Sequence, residues 1–128
     1  MEHAMILRRF APVVFALPLL ATPLLAHEPG TGAHGGVRVD AGHYHAELAA
    51  DGTPTVSLYL SDGSDKPVPA DGFKANAILV VDGKAQRFPL SPAGGNQLSG
   101  TAPVAIPKGV KGAVQITAPD GSSAQAKY

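Results

Sequence analysis

Downstream of Gly36 the chain alternates apolar and polar residues in short runs, as a strand does with one face on a core and the other in water. Tyr44, Ala46 and Leu48 alternate with His45 and Glu47, and Val56, Leu58 and Leu60 with Ser57, Tyr59 and Ser61. Ala113 to Ala118 alternates in the same way around Val114 and Ile116. Phe73 to Ala77 alternates and then runs into Ile78-Leu79-Val80-Val81, which predicts a strand covered on both faces at its end. Gln86 to Leu90 alternates around Pro89, whose missing N–H predicts a sheet edge. Leu98 to Ala102 is a weaker strand, and Ser123 to Tyr128 closes the chain. Asp-Gly pairs at 51–52, 62–63, 71–72, 82–83 and 120–121 punctuate these runs, helped by Ala93-Gly94-Gly95-Asn96 and Pro107-Lys108-Gly109. No stretch sustains a helical apolar period. The pattern predicts an all-β fold over residues 37–128, an antiparallel β-sandwich (Ig-like or a small open barrel) of about seven or eight short strands. Tyr44, Leu48, Val56, Leu58, Leu60, Leu79, Val81, Val114 and Ile116 are its expected interior.

The pattern breaks upstream of residue 37. Residues 27–36 carry four glycines and a proline, which reads as a flexible arm. Residues 1–26 read as a secretory signal peptide: Arg8-Arg9 precede an apolar stretch from Phe10 to Leu25 that Pro12, Pro18 and Pro23 interrupt. Met5 is an alternative start, and cleavage is expected after Ala26 or, alternatively, after Ala21. Export to the periplasm follows, with no stable membrane span after cleavage.

Composition narrows the function classes. The chain has ten Lys and Arg against ten Asp and Glu. Without Arg8, Arg9 and Glu2 the remainder holds eight basic and nine acidic residues, with no basic run, which disfavours nucleic acid as a partner. Cysteine is absent, so thiolate metal sites and disulfides are excluded. Asp62-Gly63-Ser64-Asp65 lacks the spaced acids and closing Glu of a calcium loop and reads as a turn. No nucleophile elbow or phosphate-binding glycine motif is present, so the chain does not read as an enzyme.

Histidine carries the remaining chemistry. Four of the five histidines, His27, His34, His43 and His45, fall within nineteen residues of chain. On a strand His43, His45 and Glu47 face one way, with neighbours roughly 6.6 Å apart at about 3.3 Å per residue. Two imidazoles so placed can lean onto one divalent transition ion, with His34 or His27 folding back from the arm as a third ligand. Glu47 reads either as an outward carboxylate or as a ligand or partner orienting His45. If cleavage exposes His27, its α-amine and ring would chelate Cu(II).

Gly35-Gly36-Val37, the strand Tyr44-His45-Ala46-Glu47-Leu48, the run Leu58-Tyr59-Leu60 into Asp62-Gly63-Ser64-Asp65-Lys66-Pro67-Val68, and Leu90-Ser91-Pro92-Ala93-Gly94-Gly95-Asn96 together resemble a family of small exported proteins of Gram-negative bacteria. Similar domains accompany the periplasmic adaptor subunits of heavy-metal efflux pumps. The resemblance spans roughly residues 34–128. It implies a periplasmic β-domain linked to metal handling, and by position it supports His45 and Glu47 most, then His34.

The expected function is therefore a periplasmic binding protein for a divalent transition metal, copper or zinc, that buffers or delivers the ion near a heavy-metal efflux adaptor. The rival reading is a metal-free interaction module docking on an envelope complex.

Overall fold

A computed structural model describes residues 29–128, together with Pro12. The signal-peptide reading and His27 lie outside the described residues. Nine strands follow one another: β1 (Gly30–Thr31), β2 (Val37–Ala41), β3 (Tyr44–Ala50), β4 (Thr55–Asp62), β5 (Lys74–Val81), β6 (Lys84–Pro92), β7 (Gln97–Thr101), β8 (Lys111–Thr117) and β9 (Ser123–Lys127). No helix occurs among the described residues. All pairs are antiparallel, in the spatial order β1-β2-β3-β4-β7-β6-β5-β8-β9, and the sheet curls into a half-barrel. The all-β antiparallel expectation holds. Two strands lie outside the seven runs read from the sequence: β1, contributed by the arm, and β2.

The curl has a visible origin in β6. Its residues 84–90 pair with β5, and only Ser91 and Pro92 pair with β7. One strand thus hands over from a layer of β6, β5, β8 and β9 to a layer of β1, β2, β3, β4 and β7. Pro89 sits just before the handover, opposite Asn76 of β5 and short of the β7 ladder. Its carbonyl lies against Gly100 of β7, so a strand flanks it on either side although only the β5 pairing is regular. The edge expected there is not found, since β6 lies inside the sheet between β7 and β5.

The core fills the space between the layers. Val56, Leu58 and Leu60 of β4 are fully buried against Leu79, Leu90, Leu98, Val114 and Ile116. Each such side chain contributes about 1.5–3 kcal/mol relative to exposure. Leu48 is buried, while Tyr44 and Val81 are half-buried against the same cluster. Tyr44 meets the ring of Phe73 edge-on, with centroids 5.4 Å apart. At the closing side Tyr128 donates its hydroxyl to the Ala46 carbonyl at 3.0 Å, which ties the end of the chain to β3.

One expectation fails. Ile78 and Val80 are 36% and 47% exposed, so the end of β5 is covered on one face only. The apolar run there has an alternating burial pattern, with Ala75, Ala77 and Leu79 inward. A continuous apolar run does not reveal which face is dry, because its polarity does not alternate.

Turn chemistry accounts for the hairpins. Asp82-Gly83 joins β5 to β6 with φ of 51° and 74°, the mirror-image turn that matches strand twist. Gly42-His43 joins β2 to β3 in the same two-residue register, Ala41 facing Tyr44.

Candidate functional site on the outer face of β3

Strand β3 turns Ala46 and Leu48 into the core, so His45 and Glu47 point the other way. The β2–β3 register places Asp40 opposite His45 and Arg38 opposite Glu47, and β4 adds Ser61 and Tyr59 on the far side of each. Two polar clusters result.

The first surrounds Glu47, which is only 5% exposed although it faces outward. The arm covers it. Glu47 accepts the backbone N–H of His34 at 2.9 and 3.2 Å and that of Gly36 at 2.8 Å. His34 Nδ1 lies 2.9 Å from Glu47 Oε1, and the imidazole stacks on Tyr59 with centroids 3.5 Å apart and planes 4° from parallel. The arm's glycines have a packing reason. A Cβ on Gly32 would overlap the Glu47 carboxyl group, and one on Gly36 the Leu48 carbonyl. Only glycine lets this backbone lie so close to the sheet.

The second cluster surrounds His45, whose side chain is 15% exposed. Its Nδ1 lies 2.7 Å from Asp65 Oδ1 and its Nε2 3.2 Å from Asp40 Oδ1. Both contacts are hydrogen bonds only when both ring nitrogens carry protons. Arg38 donates to the same Asp65 oxygen at 2.8 Å. The His45 bond, reinforced by the Arg38 charge, holds the Asp65 carboxyl below the usual carboxylate range. Asp65 reaches this position from the β4 turn, with φ of 61°, because Asp62 accepts the N–H groups of Ser64 and Lys66 at 2.8 and 3.0 Å. The 62–65 segment is a turn, as its sequence indicates.

The structure therefore joins Glu47 to His34, and the orienting role foreseen for Glu47 toward His45 falls to His34 instead. His45 belongs to the aspartates. His43 stands apart: it occupies the exposed β2–β3 turn beside Ala124 and Ile116, outside the β3 row. Among the described residues no group of three or more His, Asp or Glu is disposed to hold a metal ion. A groove bordered by His34, Arg38, Tyr59, Asp65 and Asn96 runs between the two clusters.

Asp40, Asp65, Arg38 and Tyr59 are absent from the sequence-derived candidates. Asp40 and Arg38 follow from the hairpin: a two-residue turn at Gly42-His43 sets 40 opposite 45 and 38 opposite 47. Tyr59 looks like an ordinary strand residue, and Asp65 arrives by a loop fold that spacing does not encode. No family model matches the chain, and neither a curated protein nor a solved structure shows significant similarity to it.

Proposed function

We propose that this is a periplasmic binding protein for a divalent transition metal, copper before zinc, which buffers the ion or delivers it near a heavy-metal efflux adaptor. The observation that carries the reading is the Glu47–His34 pair. A carboxylate that accepts a hydrogen bond from one ring N–H fixes the tautomer and presents the other nitrogen to an ion, the arrangement characteristic of metal-bound histidine. With Nδ1 on Glu47, His34 has Nε2 for the ion, and its side chain is 43% exposed. His34 and Tyr59 border a second depression on this face, so an ion can approach. His27, seven positions upstream, is the nearest further imidazole along the arm. His45 joins only by giving up an aspartate, and His43 contributes nothing to this site. Copper ranks first because nitrogen donors follow the Irving–Williams order. The link to efflux comes from the family resemblance alone. The role is binding, not catalysis.

Calorimetric titration with Cu(II), Zn(II) and Ni(II) tests this. His34→Ala is expected to lower Cu(II) affinity at least tenfold, about 1.4 kcal/mol, and His43→Ala to leave it within about twofold. Equal affinity of His34→Ala and the parent chain would sink the reading. The second reading, a metal-free interaction module docking on an envelope complex, is favoured by one observation: Glu47 and both nitrogens of His45 already have protein partners. No heat with any of the three ions would favour it.

A further inference from the structure

The opposite face of the molecule carries a second feature that owes nothing to the histidines. Strands β6, β5, β8 and β9 turn one set of side chains into the core and the other into solvent. Their registers arrange the outward residues in rows. Arg87, Ile78, Ala113 and Lys127 form one row across the four strands. Ala85, Val80 and Lys111 form the next, with Pro89, Asn76, Gln115 and Gln125 on the other side. Lys74 and Thr117 pair beyond them. Three cations, Arg87, Lys111 and Lys127, thus stand around Ile78 and Val80, a fourth, Lys74, stands at the far end of the face beyond the Asn76 row, and no acid stands in any row. The acids of this half, Asp71, Asp82 and Asp120, lie in the loops at its ends. None of the four cations forms an ion pair among the described residues; the lysine or arginine pair there is Arg38–Asp65 on the other face.

We propose that this face docks on an anionic lipid bilayer. Three observations choose that occupant. The charge is of one sign and reaches the cluster size of about four to eight cations that recognises acidic lipid surfaces. The face is small: four strands at about 4.8 Å and seven residues at about 3.3 Å make roughly 450 Å², about half of what each partner gives to a standard protein–protein interface. It also lacks the outward Trp or Tyr that anchors most such interfaces, Phe88 being buried. A fluid bilayer needs no shape-matched pocket, and the aliphatic stems of the lysines extend the apolar centre toward it. No described helix is long and apolar enough to cross a membrane.

The test uses the full chain and two kinds of vesicle, phosphatidylglycerol with phosphatidylethanolamine, and phosphatidylcholine alone. Residues 1–28 are apolar enough by sequence to bind either vesicle, so the face is read from the label at 80 and not from total binding. The chain has no cysteine, so a polarity-sensitive fluorophore can be placed uniquely at Val80→Cys or, on the opposite face, at Thr55→Cys. The label at 80 is expected to shift to the blue and to be quenched by a lipid-borne quencher on phosphatidylglycerol vesicles only, with the label at 55 unmoved. At about fivefold per charge, Arg87→Gln with Lys111→Gln is expected to reduce partitioning about 25-fold. Raising salt to about 0.5 M is expected to release the parent chain. Equal response at both labels, an equal shift of the label at 80 on neutral vesicles, an unaltered lipid requirement for that shift in the double variant, or no shift at all would each overturn the proposal. In the last case an acidic protein becomes the partner to seek.

Discussion

The two outer faces of this half-barrel use their charges in opposite ways. On the β3 face every charge named above has a partner within the molecule: Glu47 takes the arm, and Asp40, Asp65 and Arg38 close around His45. On the β5 face four cations share the surface with two exposed aliphatic side chains, and none of the four forms an ion pair among the described residues. Charges that satisfy one another hold the fold together. Charges left without partners contribute little to stability and remain available to something outside. The contrast predicts that substitutions on the first face register in stability and those on the second in binding.

The largest effect is expected at Glu47. Glu47→Ala leaves two backbone N–H groups and an imidazole without their acceptor, each worth about 1 kcal/mol or more, for a loss of about 3 kcal/mol in urea unfolding. The amides of His34 and Gly36 are expected to lose their protection from hydrogen exchange in the same variant. If they stay protected, Glu47 is not what holds the arm.

Next comes Tyr128, which closes the half-barrel. Tyr128→Phe removes the bond to the Ala46 carbonyl at a cost of about 1 kcal/mol. Burial, with Glu47 nearby, raises the Tyr128 hydroxyl well above its ordinary value. A raised acid favours its neutral form in the fold, so its stabilisation is complete below about pH 10 and is lost as pH rises further. The parent chain should therefore lose stability at strongly alkaline pH in a way that Tyr128→Phe does not. Parallel alkaline limbs in the two chains would separate this hydroxyl from the closure.

Asp65 controls a smaller effect, since it is largely exposed. Its lowered value means that its stabilisation is present above about pH 4, the ordinary aspartate range, and is lost as pH falls through its value in the fold. Asp65→Asn is expected to flatten part of the acid limb measured by chemical unfolding. An unchanged acid limb would mean that Asp65 and His45 do not interact in solution.

The smallest effect belongs to the second face. Arg87→Gln and Lys111→Gln are expected to stay within about 0.5 kcal/mol of the parent, as exposed substitutions generally do. A loss well beyond that would make these residues structural and erase the distinction between the faces.

Much of the fold was legible because a strand writes its two faces into alternate positions. Val56, Leu58 and Leu60 declared themselves, as did Asp82-Gly83, where a two-residue loop demands positive φ at both residues. The outward facing of His45 and Glu47 followed from the same alternation. The exposure of Ile78 and Val80 is not legible because an unbroken apolar run leaves the exposed face unmarked, and His43 lies in the turn just ahead of β3, where alternation no longer sets its direction.

The sequence by itself thus determined seven of the nine strands, most of the inward set and the residues of β3 that look outward, all consequences of local backbone geometry. The tertiary structure alone decided which groups meet. It brought Asp65 from a turn twenty residues away to His45 and laid the arm over Glu47. It also gathered Lys74, Arg87, Lys111 and Lys127, spread over more than fifty residues of chain, onto one face. Strand order and register set those distances, and they depend on how the sheet folds over its core, which no stretch of a few residues contains.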